Sequence, residues 1–111
     1  MNDLEYDKLT DNTLLAVEEA IEQLELDLDY ESHGGLLSIT FPDQSKIIIN
    51  KQPPLQQLWL ATKFNGHHFE WRNQQWIDNR TGSEFWQLLS DAASKQAGSP
   101  VVLTPPQPGT E

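Results

Sequence analysis

The side chains in this sequence best suited to chemistry are carboxylates, and they are gathered at one end. Residues 1–31 hold eleven acids, Asp3, Glu5, Asp7, Asp11, Glu18, Glu19, Glu22, Glu25, Asp27, Asp29 and Glu31, against one base, Lys8. The other 80 residues hold six acids and six bases, so the net charge of −10 resides in the first 31. Asp3, Asp7 and Asp11 are spaced by four, as are Glu18 and Glu22, which on a helix puts each set on one face. Glu25, Asp27, Asp29 and Glu31 alternate, which on a strand projects them to one side about 7 Å apart. Oxygen-only ligands of this kind suit hard cations such as Ca²⁺, Mg²⁺, Mn²⁺, Fe²⁺ or Fe³⁺. They equally suit a basic patch on another protein. Phosphate recognition needs Lys and Arg, so nucleic acid is disfavoured as a partner. Acid–base catalysis needs carboxylates in buried, unequal surroundings, whereas these read as exposed and equivalent. The expectation is a binding protein and not an enzyme. A solvated face that serves only solubility is the competing reading; the segregation of charge argues against it.

The elements that must hold these acids follow from hydrophobic periodicity. Tyr6, Leu9, Thr13, Val17, Ala20, Ile21 and Leu24 keep the three-and-four spacing of one buried helix face, widened by Leu14 and Ala16, which predicts a helix from Asp3 to Leu24. The period then drops to two: Leu24, Leu26, Leu28 and Tyr30 alternate with the four acids, as in a half-buried strand. A row of outward charges also suits an edge strand, where it blocks pairing with other chains. His33-Gly34-Gly35 reads as a turn into Leu36–Phe41, and Pro42-Asp43-Gln44-Ser45 as a hairpin connection to Lys46–Asn50. After Pro53-Pro54 come a strand over Gln57–Thr62, a turn at Asn65-Gly66, and the pair His67–Arg72 and Gln75–Asp78 around Asn73-Gln74. Thr81 and Glu84 match a capping box for a second helix burying Phe85, Leu88, Leu89, Ala92 and Ala93, stopped by Gly98. Val101-Val102-Leu103 packs back on the domain, which spans 1–104. Residues 105–111 form a Pro-rich tail expected to be disordered.

Helix, about six strands joined by short turns, and helix describe an α+β two-layer sandwich: both helices pack on one face of an antiparallel sheet. The other face meets solvent or a partner. In Leu58-Trp59-Leu60 alternation turns Trp59 outward, and the same logic turns Ile48, Asn50 and Gln52 outward, a patch fit to anchor an interface. Trp71, Trp76 and Trp86 are assigned to the core. His67 and His68 point to opposite faces and cannot chelate together, while His68 and Glu70 share a face as a surface pair.

With no cysteine, disulfides and thiolate metal sites are excluded. The acidic start lacks the basic, apolar character of a signal peptide. No apolar run approaches the ~20 residues of a membrane helix. A cytoplasmic protein that does not enter membranes is the expectation.

The residues also carry a resemblance. Val17-Glu18-Glu19 within an acidic first helix, Gly34-Gly35-Leu36-Leu37-Ser38-Ile39-Thr40-Phe41, and Lys46-Ile47-Ile48-Ile49-Asn50-Lys51-Gln52 with Pro54 resemble the bacterial frataxin family. So do Gln57-Leu58-Trp59-Leu60-Ala61-Thr62, His68-Phe69, Trp76-Ile77, Arg80-Thr81-Gly82 and Phe85-Trp86-Gln87-Leu88-Leu89. The resemblance covers residues 1 to about 104 and implies the frataxin fold. It implies a protein that binds iron (Fe²⁺ or Fe³⁺); because the carboxylates read as exposed and uncaged, weak binding with other hard cations able to substitute is expected, in a mostly monomeric protein. It further implies docking on the cysteine desulfurase and cluster scaffold machinery to modulate iron–sulfur cluster assembly. By position, the metal residues implied are Asp3, Asp7, Asp11, Glu18, Glu19, Glu22, Glu25, Asp27, Asp29 and Glu31. The implied partner residues are Glu18, Glu19, Glu22, Asn50, Gln52 and Trp59. Gln23 interrupts the run where the family pattern has an acid.

Overall fold

Asn2 and Glu5 open the chain's first element with a reciprocal cap: Glu5 N donates to Asn2 Oδ1 at 2.8 Å, and Asn2 N donates to Glu5 Oε1 at 2.9 Å. The computed structural model describes residues 1–105, so beyond Pro105 the expected Pro-rich tail lies outside the described residues. Helix α1 (Asp3–Glu22) is followed by strands β1 (Asp29–His33), β2 (Leu36–Thr40), β3 (Lys46–Gln52), β4 (Gln57–Ala61), β5 (Gly66–Arg72) and β6 (Gln75–Asp78), then helix α2 (Phe85–Ala97). Every strand pairs antiparallel with its neighbour in sequence, giving the sheet order β1-β2-β3-β4-β5-β6. This is the expected α+β architecture, with the helices covering one face.

Strand parity decides what they cover. Leu37 and Ile39, Ile47 and Ile49, Leu58 and Leu60, Phe69 and Trp76 turn inward and are buried. Tyr6, Leu14, Val17 and Ile21 of α1 and Phe85, Leu89 and Ala93 of α2 meet them. Three hydrogen bonds, two at Tyr6 and one at Thr13, tie α1 to this layer. The Tyr6 hydroxyl donates to Gln57 O at 2.5 Å and accepts from Gln52 N at 2.9 Å, and Trp76 Nε1 donates to Thr13 Oγ1 at 3.1 Å. Thr10, outside the expected apolar stripe, is fully buried because its hydroxyl donates to Tyr6 O one turn back.

Four local expectations are corrected. Helix α1 ends at Glu22, with Gln23 as its cap, and not at Leu24. The strand foreseen from Leu24 begins only at Asp29. Leu24, Leu26 and Leu28 do bury their alternate side chains, but they have no partner strand: Asp29 pairs with Thr40, the last residue of β2, before Pro42 turns the chain. The β4–β5 connection is a four-residue loop, Thr62–Asn65, closed by Thr62 N donating to Asn65 O at 2.8 Å. Gly66 therefore lies in β5 opposite Ala61, not in the turn. The cap of α2 is Glu84, whose carboxylate accepts from Trp86 N and Gln87 N, and not Thr81. Asp78 N bonds Ser83 O and Ile77 bridges Glu84, which holds the segment extended past Thr81.

Gly98, at φ 74°, ends α2. The chain then returns along the helix: Val101 and Leu103 are buried, and the hydroxyls of Ser94 and Ser90 bond their backbone groups.

Candidate functional site: an acidic ridge and an open sheet face

The acids form a band that starts on α1 and passes around the free edge of the sheet. Asp7, Asp11, Glu18 and Glu22 share the α1 flank beside the buried stripe, at spacings of four and seven. Asp3, in the first turn, accepts from Gln56 Nε2 at 3.4 Å. Glu19 is on the exposed side. Glu25 and Asp27 are exposed but lie in the connection, not on a strand as expected. Asp29 and Glu31 stand on β1, at the edge of the sheet. Their register with Thr40 and Ser38 turns them toward the uncovered face, while Tyr30, opposite buried Ile39, faces the helix layer. The ridge thus joins the helix layer to the open face at β1.

The carboxylates are not equivalent, contrary to the expectation from spacing. Lys51 Nζ lies 2.5 Å from Asp11 Oδ1 and 3.8 Å from Asp7 Oδ1. Glu22 accepts from the Tyr30 hydroxyl in a short hydrogen bond. That bond, with smaller contributions from desolvation and from the charges of Glu22 and Glu18, pushes the phenol up to about 12. Among the described residues, no Lys or Arg lies within ion-pair distance of Glu18, Glu19, Glu25, Asp27, Asp29 or Glu31. Nor do three His, Asp or Glu side chains among the described residues converge on one cation position. What the arrangement offers a cation is therefore exposed oxygens on fixed elements and a strong local field, not an enclosing cage.

The open face is built differently. Pairing registers align His33, Leu36, Asn50, Trp59 and His68 in one row across β1 to β5. The Trp59 and His68 rings stack with centroids 4.0 Å apart and planes 8° apart. Trp59 Nε1 donates to Gln57 Oε1 at 2.8 Å, and Gln57 Nε2 donates onward to Glu70 Oε2 at 3.2 Å. Arg72 Nη2 donates to Glu70 Oε1 at 2.7 Å. The bond from Arg72, then that from Asn79, holds the Glu70 carboxyl below its ordinary range against slight desolvation. Asn50 and Gln52 are half-buried on this face, and Asn50 Nδ2 is bonded to Lys51 O. Parity alone placed these residues correctly.

Two polar contacts on the helix side were missed. Lys51 stands at the inward position that follows Ile47 and Ile49, and that parity is the signal that could have found it. The same parity puts His67 and Asp78 inward. His67 Nδ1 lies 2.7 Å from Asp78 Oδ2, and Asp78 is buried. Burial would raise the Asp78 carboxyl, but bonds from Arg80 N, His67 and Thr81 outweigh it and hold the group low.

Comparison with known proteins agrees with this architecture. The family described as the frataxin-like domain matches residues 1–99. The iron-sulfur cluster assembly protein CyaY of Pseudoalteromonas atlantica is 57% identical over 106 residues, covering 96% of this chain and 98% of the relative. The protein of the same name from Colwellia psychrerythraea is 55% identical over 104 residues, covering 94% and 98%. Among solved structures, frataxin from Psychromonas ingrahamii superposes with a TM-score of 0.87 at 46% identity, covering 94% of this chain and 99% of that one. Trimeric frataxin from Saccharomyces cerevisiae, complexed with ferrous iron, gives a TM-score of 0.67 at 29% identity, covering 86% and 87%. With the family matched over nearly its whole described length and relatives above half identity across the chain, this protein belongs to the frataxin family.

Proposed function

We propose that this protein is a non-enzymatic, cytoplasmic, iron-binding component of iron–sulfur cluster assembly that docks on the cysteine desulfurase through its acidic ridge. The observation that carries this reading is the uncompensated run from Glu18 to Glu31. It holds seven carboxylates with no Lys or Arg among the described residues within ion-pair distance, continuous from α1 around the β1 edge. Support comes from the curated relatives, which are named for cluster assembly, and from the yeast relative solved with ferrous iron. The charges attract a basic partner from a distance and orient it. Asn50, Gln52 and Trp59, on the face that meets the ridge at β1, supply short-range contact to the same assembly. Iron, as cargo, is held by carboxylate oxygens of the ridge. Exposed monodentate ligands place its dissociation constant at roughly 10⁻⁶ to 10⁻³ M, with Mn²⁺, Ca²⁺ or lanthanides competing at the same residues.

The test is reconstituted cluster assembly with the purified desulfurase and scaffold, titrated with this protein at several iron concentrations. A change in cluster formation rate that disappears on reversing Glu18, Glu19 and Glu22 to Lys supports the reading. No effect at any iron level sinks it. A second reading, an acidic protein-binding module with no physiological metal role, is favoured by the lack of convergent carboxylates among the described residues. An effect on assembly that is the same at every iron level would select it.

A further inference from the structure

We infer that Lys51 is a built-in counter-cation that takes Asp7 and Asp11 out of the cation-binding part of the ridge and directs metal to Glu18–Glu31. This rests on the proposed ridge reading, and it splits the ridge into two functionally different parts.

Lys51 reaches α1 from the middle of the sheet by strand parity. It follows Ile47 and Ile49 at the inward parity of β3, so its side chain leaves the sheet on the helix side. Only 15% of that side chain is exposed, although the carboxylates it meets are 59% and 66% exposed. The stem passes over Gly35, where a Cβ would lie 3.2 Å from Lys51 Cδ and 3.4 Å from Cγ. Gly35 has φ +89°, and its carbonyl accepts from Lys51 N at 2.9 Å. The β1–β2 turn therefore leaves a slot for the methylenes, and the ammonium emerges where Asp7 and Asp11 face the sheet. This is a placed group, unlike a surface lysine that samples several partners.

A metal ion held by Asp11 would sit about 2.3 Å from a carboxylate oxygen. With Nζ 2.5 Å from Asp11 Oδ1, the two cations would come within about 5 Å of each other on that shared oxygen and within about 7 Å if the metal took Oδ2, a repulsion in either case unless the ammonium withdrew. Withdrawal would pull the stem out of its slot. The Asp7–Asp11 segment sets Lys8 in the chain and Lys51 across the sheet against its two carboxylates, while no Lys or Arg among the described residues lies within ion-pair distance of Glu18–Glu31. Cations therefore fill the downstream segment first. The same holds for a partner's Arg and Lys groups, which meet their strongest field at Glu18, Glu19 and Glu22.

The test compares the natural chain with Lys51→Met, which keeps an unbranched stem and removes the charge, and with Lys51→Arg, which keeps the charge. The probe is Mn²⁺, read as residue-by-residue paramagnetic broadening of backbone amide resonances, whose dispersion also reports that each variant is folded. In the natural chain, broadening around Glu18–Glu31 should reach its midpoint at several-fold lower Mn²⁺ than broadening around Asp7 and Asp11. Lys51→Met should lower the Asp7/Asp11 midpoint about five-fold and move the Glu18–Glu22 midpoint less than two-fold. Lys51→Arg should keep the natural pattern. An Asp7/Asp11 midpoint that is already equal in the natural chain, or unmoved in Lys51→Met, overturns the inference. The ridge reading fails on a separate observable: no broadening around Glu18–Glu31 in the natural chain. If Lys51→Met does not fold, Lys51→Gln supplies the same comparison.

Discussion

The ridge and the open sheet face meet at β1 but are built on opposite plans. On the open face, polar groups around Trp59 are paired among themselves, from the Trp59 indole through Gln57 to Glu70 and Arg72. On the ridge downstream of Asp11, only Glu22 has a donor, the Tyr30 hydroxyl, and the other carboxylates lack any cationic neighbour among the described residues. The first plan presents a shaped, satisfied surface that gains by burial on contact. The second presents a field that acts before contact and strains the fold that carries it. In the proposed docking role, these two plans would separate how fast a partner arrives from how long it stays.

Charge reversal tests that division most severely. On the proposed function, Glu18→Lys, Glu19→Lys and Glu22→Lys together should lower the association rate with the proposed desulfurase partner about 100-fold at low salt and flatten its salt dependence, as stopped-flow mixing would show. If binding survives, the partner surface lies elsewhere. Trp59→Arg should weaken the same complex by about ten- to fifty-fold, mainly by faster dissociation, with the salt slope unchanged. A loss confined to the association rate would erase the distinction between the two regions.

Stability separates the ridge's own segments. Replacing Glu18, Glu19 and Glu22 by Gln removes repulsion of a few tenths of a kcal/mol per pair, and should raise Tm by about 2–4 °C. Asp11→Asn removes an ion pair instead, and should leave Tm unchanged or lower it slightly, since exposed pairs contribute about 0–1 kcal/mol. Calorimetry on both variants checks the contrast; equal responses would mean that Lys51 compensates nothing. The smallest effect is a titration. Tyr30, pushed up to about 12 chiefly by its bond to Glu22, contributes stability that is complete below pH 10 and lost as pH rises toward 12. Glu22→Gln should bring the phenol back toward 10, followed by the ring-carbon NMR shift of Tyr30.

Much of this plan was legible from spacing. The alternation of Leu58, Trp59 and Leu60 placed Trp59 on the open face, and the isoleucines of β3 did the same for Asn50 and Gln52, because parity is a local property. The strand start was not legible. Leu24, Leu26 and Leu28 alternate and bury as a strand would, yet strand identity depends on a partner, and β2 ends at Thr40. The cap of α2 was misplaced because Ser83 and Glu84 are claimed by β6 neighbours before the helix begins. The ion pairs of Lys51 join residues 40 or more apart in sequence, so charge counting near Asp7 and Asp11 found only Lys8.

The sheet's strand order has a consequence in time. Each strand pairs with the next in sequence, so the meander can assemble as a series of hairpins with short loops to close. Helix α1 has one local tie, the bond from the Tyr30 hydroxyl to Glu22, eight residues back, at its C-terminal end. Its fixing contacts reach from Tyr6 to Gln52 and Gln57, 46 and 51 residues on, and from Thr13 to Trp76, 63 residues on. Loop-closure entropy therefore favours a transition state in which the hairpins are formed and α1 is still arriving. Substitutions on the α1 part of the ridge would then leave the refolding rate nearly unchanged and appear in the unfolding rate. The ridge would then be completed only when the last element docks, and undocking of α1 would be the first step of unfolding.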